Sequence, residues 1–223
     1  MLNVPIVTVA TIAIEGSADR FPVRRIFCVG QNYAEHAREM GADPDRAPPF
    51  FFTKPADAVV SSGTTLPFPP RTEDLHHEVE LVVALATGGS NLPIKDAIAS
   101  VFGWTVGIDL TRRDMQAAAK KAGRPWDMAK GFDASAPVGP LLIGAPPKTG
   151  TIELDINGER RQSGNLSDMI WSVAEIIATL STYVALAPGD LIFTGTPAGV
   201  GAIRPGETVT GSICNSVKIE VSF

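Results

Sequence analysis

Glycine and proline recur along the whole chain, and this scatter most restricts the folds available to it. The 223 residues include 21 glycines and 18 prolines, which interrupt long helices and mark turns between short elements. Apolar and β-branched runs between these residues predict strands at residues 25–29, 77–86, 154–156, 190–193 and 217–223. Helical spacing is confined to residues 33–40, 94–101, 111–122 and 167–180. The pattern predicts an α+β domain that is rich in β-structure.

Two stretches differ from this pattern of alternating elements. Apolar residues alternate near the N-terminus without a basic region or a small-residue cleavage site, which predicts an N-terminal strand segment in residues 1–20 rather than a signal peptide. Residues 48–70 are rich in Pro, Phe, Ser and Gly and resemble a linker. No apolar run reaches the length of about 18–20 residues that a membrane helix needs, so we expect a soluble protein.

Composition and charge exclude several classes of protein. With 44% hydrophobic and 19% charged residues, the chain can form a hydrophobic core and does not resemble a disordered protein. Its 19 basic and 24 acidic residues give a net charge of −5, so no basic surface is expected to attract nucleic acid. Cys28 and Cys214 are far apart and have no metal-ligand spacing, which favours a reducing, cytoplasmic location.

The segment HHEVE at residues 76–80 carries the strongest chemical signal. Successive side chains of a strand point to opposite faces, so Glu78 and Glu80 share one face about 7 Å apart. The other face is apolar from Val79 to Leu85 and belongs to a core. Two neighbouring carboxylates repel each other, and a hard divalent cation such as Mg²⁺ would compensate their charge. The alternative is an exposed strand face with two solvated glutamates, and the motif alone favours neither.

A third carboxylate follows the next apolar run, residues 102–108. Asp109 stands between this predicted strand and the helix predicted at residues 111–122, where it could complete a metal site. The alternative is a residue at a helix N-terminus, because acidic side chains there interact favourably with the helix dipole. For an isolated aspartate, this second interpretation is the more common one.

The predicted helix near the N-terminus could carry a general base. His36 and Glu39 are i,i+3 neighbours and can meet on one helix face. A carboxylate beside an imidazole raises its basicity and fixes its orientation, which suits a base that activates water. The alternative is a solvated helix face, to which Glu35 and Arg38 would also belong.

Seven segments of the chain together resemble the fumarylacetoacetate hydrolase family. They are GQNYAEHAREMG, PFFFTKPADAVV, DLHHEVELVV, GWTVGIDLTRRDMQ, GRPWDMAKGFDASAPVGP, LSDMIWSVAEII and PGDLIFTGTPAGVG. The resemblance extends from about residue 21 to the C-terminus. It is closest to the acylpyruvases and, among them, to the fumarylpyruvate hydrolases of aromatic-acid catabolism.

The resemblance implies a metal site and a fold. In the family, the Glu-x-Glu strand and the following aspartate hold one divalent cation, Mg²⁺ or Mn²⁺, and the matching residues here are Glu78, Glu80 and Asp109. The family fold is a mixed β-sandwich or roll around this site, and its members are usually homodimers. We therefore expect residues 1–223 to form a single catalytic domain, with residues 31–70 as a lid and cover region.

The resemblance also implies the catalytic group. The family's His–Glu pair matches His36 and Glu39, and its catalytic lysine matches Lys130. In the expected mechanism, His36 deprotonates a water that attacks the substrate carbonyl, Lys130 stabilises the oxyanion, and the cation acts as a Lewis acid on the pyruvate enolate. Fumarylpyruvate would give fumarate and pyruvate.

Further residues are implied in substrate binding. Arg113, Gln116 and Thr196 match family positions that contact the substrate or the residues around it. Lys54 also lies in a family motif, with a structural role or a lid role as alternatives. Many relatives have arginine where this chain has Gln31, and loss of that guanidinium could alter recognition of a remote carboxylate.

Other reactions use the same site in the family. Decarboxylation of oxaloacetate, or isomerisation or decarboxylation of a muconate-type acid, also passes through an enolate of an oxo acid, so the metal ligands do not distinguish them. A non-catalytic metal-binding protein is disfavoured, because the chain retains His36, Glu39 and Lys130.

Overall fold

A computed structural model of the chain describes residues 5–6, 8–39 and 47–223. Its strands, in chain order, are β1 Thr11–Ala13, β2 Arg20–Pro22, β3 Arg25–Gly30, β4 Phe50–Lys54, β5 Val59–Ser61, β6 Thr64–Thr65, β7 Leu75–His77, β8 Val79–Leu85, β9 Val101–Ile108, β10 Thr111–Arg112, β11 Ala136–Val138, β12 Leu142–Ile143, β13 Thr151–Ile156, β14 Glu159–Asn165, β15 Asp190–Phe193, β16 Gly201–Ile203, β17 Thr208–Ile213 and β18 Val217–Ser222. The α-helices are α1 Ala34–Glu39, α2 Ile94–Ala97, α3 Arg113–Lys121, α4 Asp127–Lys130 and α5 Val173–Tyr183. Turns of 3₁₀ helix cover Ala56–Ala58, Ile98–Ser100 and Leu166–Asp168.

Two large sheets pack against each other. The larger has the order β4-β3-β15-β8-β9-β11-β5, with β12 paired to β9, and the smaller has the order β14-β13-β17-β18-β6. The larger sheet is mixed, because β3 and β15 are parallel, as are β5 and β11, whereas the other pairs in it are antiparallel. A three-stranded sheet, β10-β7-β16, and the pair β1-β2 complete the strands. The predicted β-rich α+β fold with mixed sheets is confirmed.

Strand β8 is buried on both faces and forms a rigid base for the site. Leu81 and Val83 on one face belong to the larger core, which Ile152 and Leu154 of β13 also enter. Val82 on the other face belongs to a second core. Full burial of such a side chain contributes roughly 1.5–3 kcal/mol, so the strand that carries Glu80 is held firmly.

The strand predicted over residues 77–86 is divided at Glu78. Strand β7 pairs with β10 and β16, whereas β8 pairs with β9 and β15, so the chain passes from the small sheet to the large one at this residue. The prediction of one continuous strand was wrong. An apolar and β-branched run has the same sequence pattern whether its residues pair within one sheet or pass from one sheet to another.

The helix predicted over residues 167–180 begins later than expected. Ile170 N–H donates to the Asn32 carbonyl at 2.8 Å and Trp171 N–H donates to Asn32 Oδ1 at 2.7 Å, so these donors are not available to a helix. Helix α5 instead begins after Ser172, which forms a capping box with Glu175. The first residues predicted as helix, 167 and 168, lie in a 3₁₀ turn.

Several other sequence predictions need smaller changes. Residues 111–112 are strand rather than helix, and Val101 begins β9 instead of ending a helix. Residues 48–70 are not a linker, since they contribute β4, β5 and β6. In the N-terminal segment, strand structure begins only at Thr11. The predicted last residue of the first helix, Met40, lies outside the described residues. Among the described helices, none is long and apolar enough to cross a membrane.

Candidate active site

Three carboxylates meet where β8 begins and β9 ends. The two strands are antiparallel with Val79 opposite Ile108, and the Asp109 N–H extends the pairing by donating to the Glu78 carbonyl at 2.8 Å. Ligand oxygens of Glu78, Glu80 and Asp109 all lie within 4.8 Å of one another.

Burial decides between the alternatives left open by the sequence. Glu78, Glu80 and Asp109 are 5%, 1% and 0% exposed, so the alternative of solvated glutamates is wrong. Helix α3 begins only at Arg113, so Asp109 does not lie at a helix N-terminus.

Basic side chains compensate two of the three carboxylates. Lys130 Nζ lies 2.8 Å from Glu78 Oε2 and 2.7 Å from Asp109 Oδ2. Arg113 Nη2 donates to Glu78 Oε1 at 2.5 Å, and Lys54 Nζ lies 2.7 Å from Asp109 Oδ1. Burial opposes ionisation of Glu78, but Lys130 and Arg113 hold its pKa well below the usual range. Burial likewise opposes the charge of Lys130, but Asp109 and Glu78 raise its pKa above the ordinary value.

Glu80 differs from the other two carboxylates. Its Oε2 accepts a hydrogen bond from the Gly195 N–H at 2.7 Å, and no basic side chain in the described part of the chain forms an ion pair with it. Burial raises the pKa of Glu80 well above its usual range, and the charges of Asp109 and Glu78 raise it further. The turn that supplies the N–H requires glycine, because Gly195 has a φ of 97° and a Cβ there would lie 2.7 Å from Asn32 Cβ.

This donor set fits a hard divalent cation. All three ligands are carboxylate oxygens, the donors that Mg²⁺ and Mn²⁺ prefer. A cation in contact with Glu80 would compensate the one charge that the described basic side chains leave uncompensated. Glu78, Glu80 and Asp109, here called the acidic triad, could therefore hold a metal ion. The assignment of each residue as a ligand stays a prediction.

His36 lies on α1 and faces the same region. It is 5% exposed, and its Nδ1 lies 3.5 Å from Glu39 Oε2, within ion-pair distance but without a hydrogen bond among the described residues. The Glu39 carboxylate accepts from the Gly199 N–H at 3.0 and 3.2 Å, which fixes it in place. Burial lowers the pKa of His36, and Glu78 and Glu39 oppose this only in part. The lowered pKa favours the neutral imidazole, and because His36 is buried, the alternative of a solvated histidine is wrong.

One cavity connects the predicted site residues. Seven of the nine line its wall, namely His36, Glu78, Glu80, Arg113, Gln116, Lys130 and Thr196. Of the other two, the partly exposed Glu39 lies beside His36, and the buried Asp109 contacts Lys130. Arg113 connects two of the groups, since its Nη1 donates to Gln116 Oε1 at 2.5 Å and its Nη2 donates to Glu78. The structure thus brings all nine residues together, while their individual roles stay predictions.

Several cavity residues were not found from the sequence. Phe50, Phe52, Lys120 and Trp126 line the wall together with Gln31, which the sequence analysis had singled out. Lys120 could have been predicted from the sequence, because Arg113, Gln116 and Lys120 are spaced i, i+3 and i+7 and share one face of α3. Nothing in the sequence indicates that the aromatic residues line the cavity, because their position depends on how Trp126, just before α4, packs against Phe50 and Phe52 of β4. The buried Nζ of Lys54 pairs with Asp109 and donates to the Leu110 carbonyl at 3.0 Å, contacts that favour a structural role.

Comparison with known proteins identifies the family. The family model described as fumarylacetoacetate (FAA) hydrolase C-terminal matches residues 25–221. The crystal structure of fumarylpyruvate hydrolase from Pseudomonas aeruginosa in complex with Mn²⁺ and pyruvate is 47% identical, covers 100% of this chain and 98% of that one, and superposes with a TM-score of 0.95. A fumarylpyruvate hydrolase of Ralstonia sp is 41% identical over 78% of this chain and 91% of the relative.

A relative with another activity is also similar. The oxaloacetate tautomerase YcgM of Escherichia coli (strain K12) is 38% identical over 88% of this chain and 91% of the relative. These relatives are enzymes with different reactions, so similarity alone does not fix the substrate. The matched residues contain the acidic triad, the lysine and the histidine of the cavity, and the chain belongs to the fumarylacetoacetate hydrolase family.

Proposed function

We propose that the protein is a divalent-metal-dependent hydrolase that cleaves the carbon–carbon bond of an acylpyruvate, with fumarylpyruvate giving fumarate and pyruvate. One observation carries the proposal: the buried His36 lines the same cavity as the Glu78 and Glu80 carboxylates and lies beside Glu39. The arrangement places a base that could deprotonate water in the same cavity as the carboxylates that would hold the cation and, through it, the oxo acid. Similarity to fumarylpyruvate hydrolases over most of the chain supports the same substrate.

Glu78, Glu80 and Asp109 would hold the cation. When bound, Mg²⁺ or Mn²⁺ would supply positive charge to the carboxylate and the adjacent oxo oxygen of the pyruvyl group. Mn²⁺ and pyruvate occur together in the Pseudomonas aeruginosa structure, which supports this assignment.

His36 would act as the base. Its Nδ1 faces Glu39, so Nε2 is the nitrogen that would take a proton from water. The hydroxide formed adds to the acyl carbonyl carbon, and Lys130, which stays protonated beside Glu78 and Asp109, supplies positive charge near the resulting oxyanion. The carbon–carbon bond then breaks, its electron pair goes to the pyruvate fragment as an enolate, and protonation of the enolate carbon gives pyruvate.

Lys120 and the aromatic wall would bind the acyl end. Trp126 packs edge-on against Phe50 and Phe52, with ring centroids 5.6 and 6.1 Å apart, and all three line the cavity with Lys120. This wall suits a flat, conjugated acyl group, and the ammonium suits its distal carboxylate. Arg113 and Lys130 on the cavity wall are both paired with Glu78, and Gln31 carries no charge, which leaves Lys120 for this role.

Replacement of Lys120 should therefore discriminate between substrates. We expect Lys120→Met to raise KM for fumarylpyruvate about 5- to 10-fold, as for loss of one charge-assisted contact, and to leave KM for acetylpyruvate unchanged. Steady-state kinetics with both substrates would measure this. Lys121→Met, which removes a neighbouring charge of the same helix that does not line the cavity, is the matched control. Equal effects of Lys120→Met on both substrates would contradict the assignment.

Oxalate should inhibit the enzyme competitively. Its two adjacent carboxylates present the same pair of donor oxygens as the pyruvyl group, but it has no bond that the enzyme can cleave. We expect inhibition with Mg²⁺ or Mn²⁺ and no binding by calorimetry after the metal is removed with a chelator. Equal oxalate affinity without metal would show that oxalate binds elsewhere.

The second candidate function is oxaloacetate tautomerisation or decarboxylation, which the similarity to the Escherichia coli tautomerase favours. Oxaloacetate is shorter than fumarylpyruvate and has no conjugated acyl group to pack on the aromatic wall. A muconate-type isomerase is a further form of the same alternative. Product analysis distinguishes these reactions from hydrolysis, because only hydrolysis of fumarylpyruvate gives fumarate and pyruvate in equal amounts. The homodimer, the cytoplasmic location and the place in aromatic-acid catabolism stay predictions.

A further inference from the structure

Three buried polar side chains form a row behind one wall of the cavity. His77, Gln162 and Thr196 are 1%, 0% and 2% exposed. His77 Nδ1 lies 2.9 Å from Gln162 Oε1, and Gln162 Nε2 lies 2.8 Å from Thr196 Oγ1. Only Thr196 lines the cavity. The proposed catalytic steps do not use His77 or Gln162.

Backbone groups fix the orientation of the Gln162 amide. The Val79 N–H, which can only donate, lies 3.1 Å from Oε1, and the Pro197 carbonyl, which can only accept, lies 2.9 Å from Nε2. Reversal of the amide would place two donors together and two acceptors together, leaving buried groups unsatisfied. Oε1 therefore accepts from both Val79 and His77, and Nε2 donates to both Pro197 and Thr196.

This orientation determines what the neighbouring side chains can do. His77 must carry a hydrogen on Nδ1, because Oε1 has none to give. The Thr196 oxygen accepts from Gln162, so its single hydroxyl hydrogen points away from Gln162. Within the described residues, the hydroxyl donates to no protein acceptor.

We infer that His77 and Gln162 are positioning residues that hold the Thr196 hydroxyl as a hydrogen-bond donor into the cavity. Such a donor recognises an anionic oxygen, and not a donor group, on the bound molecule. The identification of that oxygen as part of the oxo acid rests on the proposed function. Gln162 acts through Thr196, and His77 acts through Gln162.

Oxalate binding to the Mg²⁺-loaded protein tests the inference without turnover. Thr196→Val removes the hydroxyl with little change in shape, and Gln162→Met removes the amide donor. We expect each to weaken oxalate binding about 10- to 100-fold, with Mg²⁺ affinity unchanged. The double variant should bind no more weakly than Thr196→Val alone, because both changes remove one interaction. Thr196→Ser, which keeps the hydroxyl, should restore binding to within about 3-fold.

A second measurement needs no substitution, in case Gln162→Met fails to fold. Nitrogen-15 NMR of the wild-type histidine rings should show a hydrogen on Nδ1 of His77. A bare Nδ1 on His77 would overturn the inference, as would additive losses in the double variant or full oxalate affinity in Thr196→Val.

These outcomes are distinguishable from failure of the proposed function. A protein that binds oxalate through Thr196 but does not cleave fumarylpyruvate would contradict only the function. A protein that cleaves fumarylpyruvate but shows additive variants would contradict only the positioning inference. If the wild type bound no oxalate, the state of His77 Nδ1 would decide the inference by itself.

Discussion

Replacement of Glu80 by glutamine is expected to weaken divalent-metal binding by on the order of 100-fold or more and to abolish turnover. Loss of a residue that only supports a ligand typically costs 10- to 100-fold in affinity, so loss of a direct ligand should cost at least as much. Glutamine keeps the shape of the side chain and can still accept from the Gly195 N–H. Calorimetric titration with Mg²⁺ and Mn²⁺, together with steady-state rates, would measure both effects.

The same variant should be more stable than the wild type when both are free of metal. Burial and the charges of Asp109 and Glu78 raise the pKa of Glu80 in the folded protein, so the folded state binds this proton more tightly than the unfolded state does. Stability of the metal-free wild type is therefore lost as pH rises above the unfolded pKa of glutamate, and Glu80→Gln removes this loss. The gain should be larger at pH 7 than at pH 4, as measured by denaturant unfolding.

The matched control is Glu35→Gln, an exposed glutamate on α1. It should change neither metal affinity nor stability. Undiminished Mg²⁺ binding by Glu80→Gln would rule out Glu80 as a ligand, whatever happened to turnover.

Replacement of His36 by alanine is expected to lower kcat by on the order of 100-fold or more, the typical contribution of a general base. Metal and oxalate should still bind, because His36 is not among the acidic residues that could hold the cation. In the wild type, the rate should fall as pH drops through the pKa of His36, which burial places below the ordinary value. This acidic limb should be absent from the residual activity of the variant.

Steady-state rates from pH 5 to 9, with oxalate binding as the folding control, would measure this. A variant that turned over at the wild-type rate would show that His36 is a packing residue. A variant that lost oxalate binding as well would show that its effect is structural.

The strands and the carboxylates were accessible from the sequence because local pattern determines both. An apolar run such as residues 102–108 enters a core in any β-rich fold, and alternation places Val79 and Leu81 opposite Glu80 whichever sheet receives them. The spacing of Glu78 and Glu80, and of His36 and Glu39, likewise depends only on local geometry. Resemblance to a family supplied what spacing could not, namely that these two pairs belong to one site.

What the sequence did not reveal depends on contacts between distant segments. Asn32 takes up the backbone donors of Ile170 and Trp171 and so delays the start of α5, although the apolar spacing before Ser172 is helical. Gln162 lies on β14 among exposed neighbours, and nothing in its surroundings marks it as buried behind Thr196. Such contacts are set by the packing of the sheets and not by the residues nearby in the chain.

The most direct test of the account is a comparison of kcat/KM for fumarylpyruvate, acetylpyruvate and oxaloacetate, each with Mg²⁺, with Mn²⁺ and with a chelator. We expect fumarylpyruvate to be the best substrate, to yield fumarate and pyruvate in equal amounts, and to lose turnover when the metal is removed. Preference for oxaloacetate, or cleavage of fumarylpyruvate that persists in the chelator, would contradict the account.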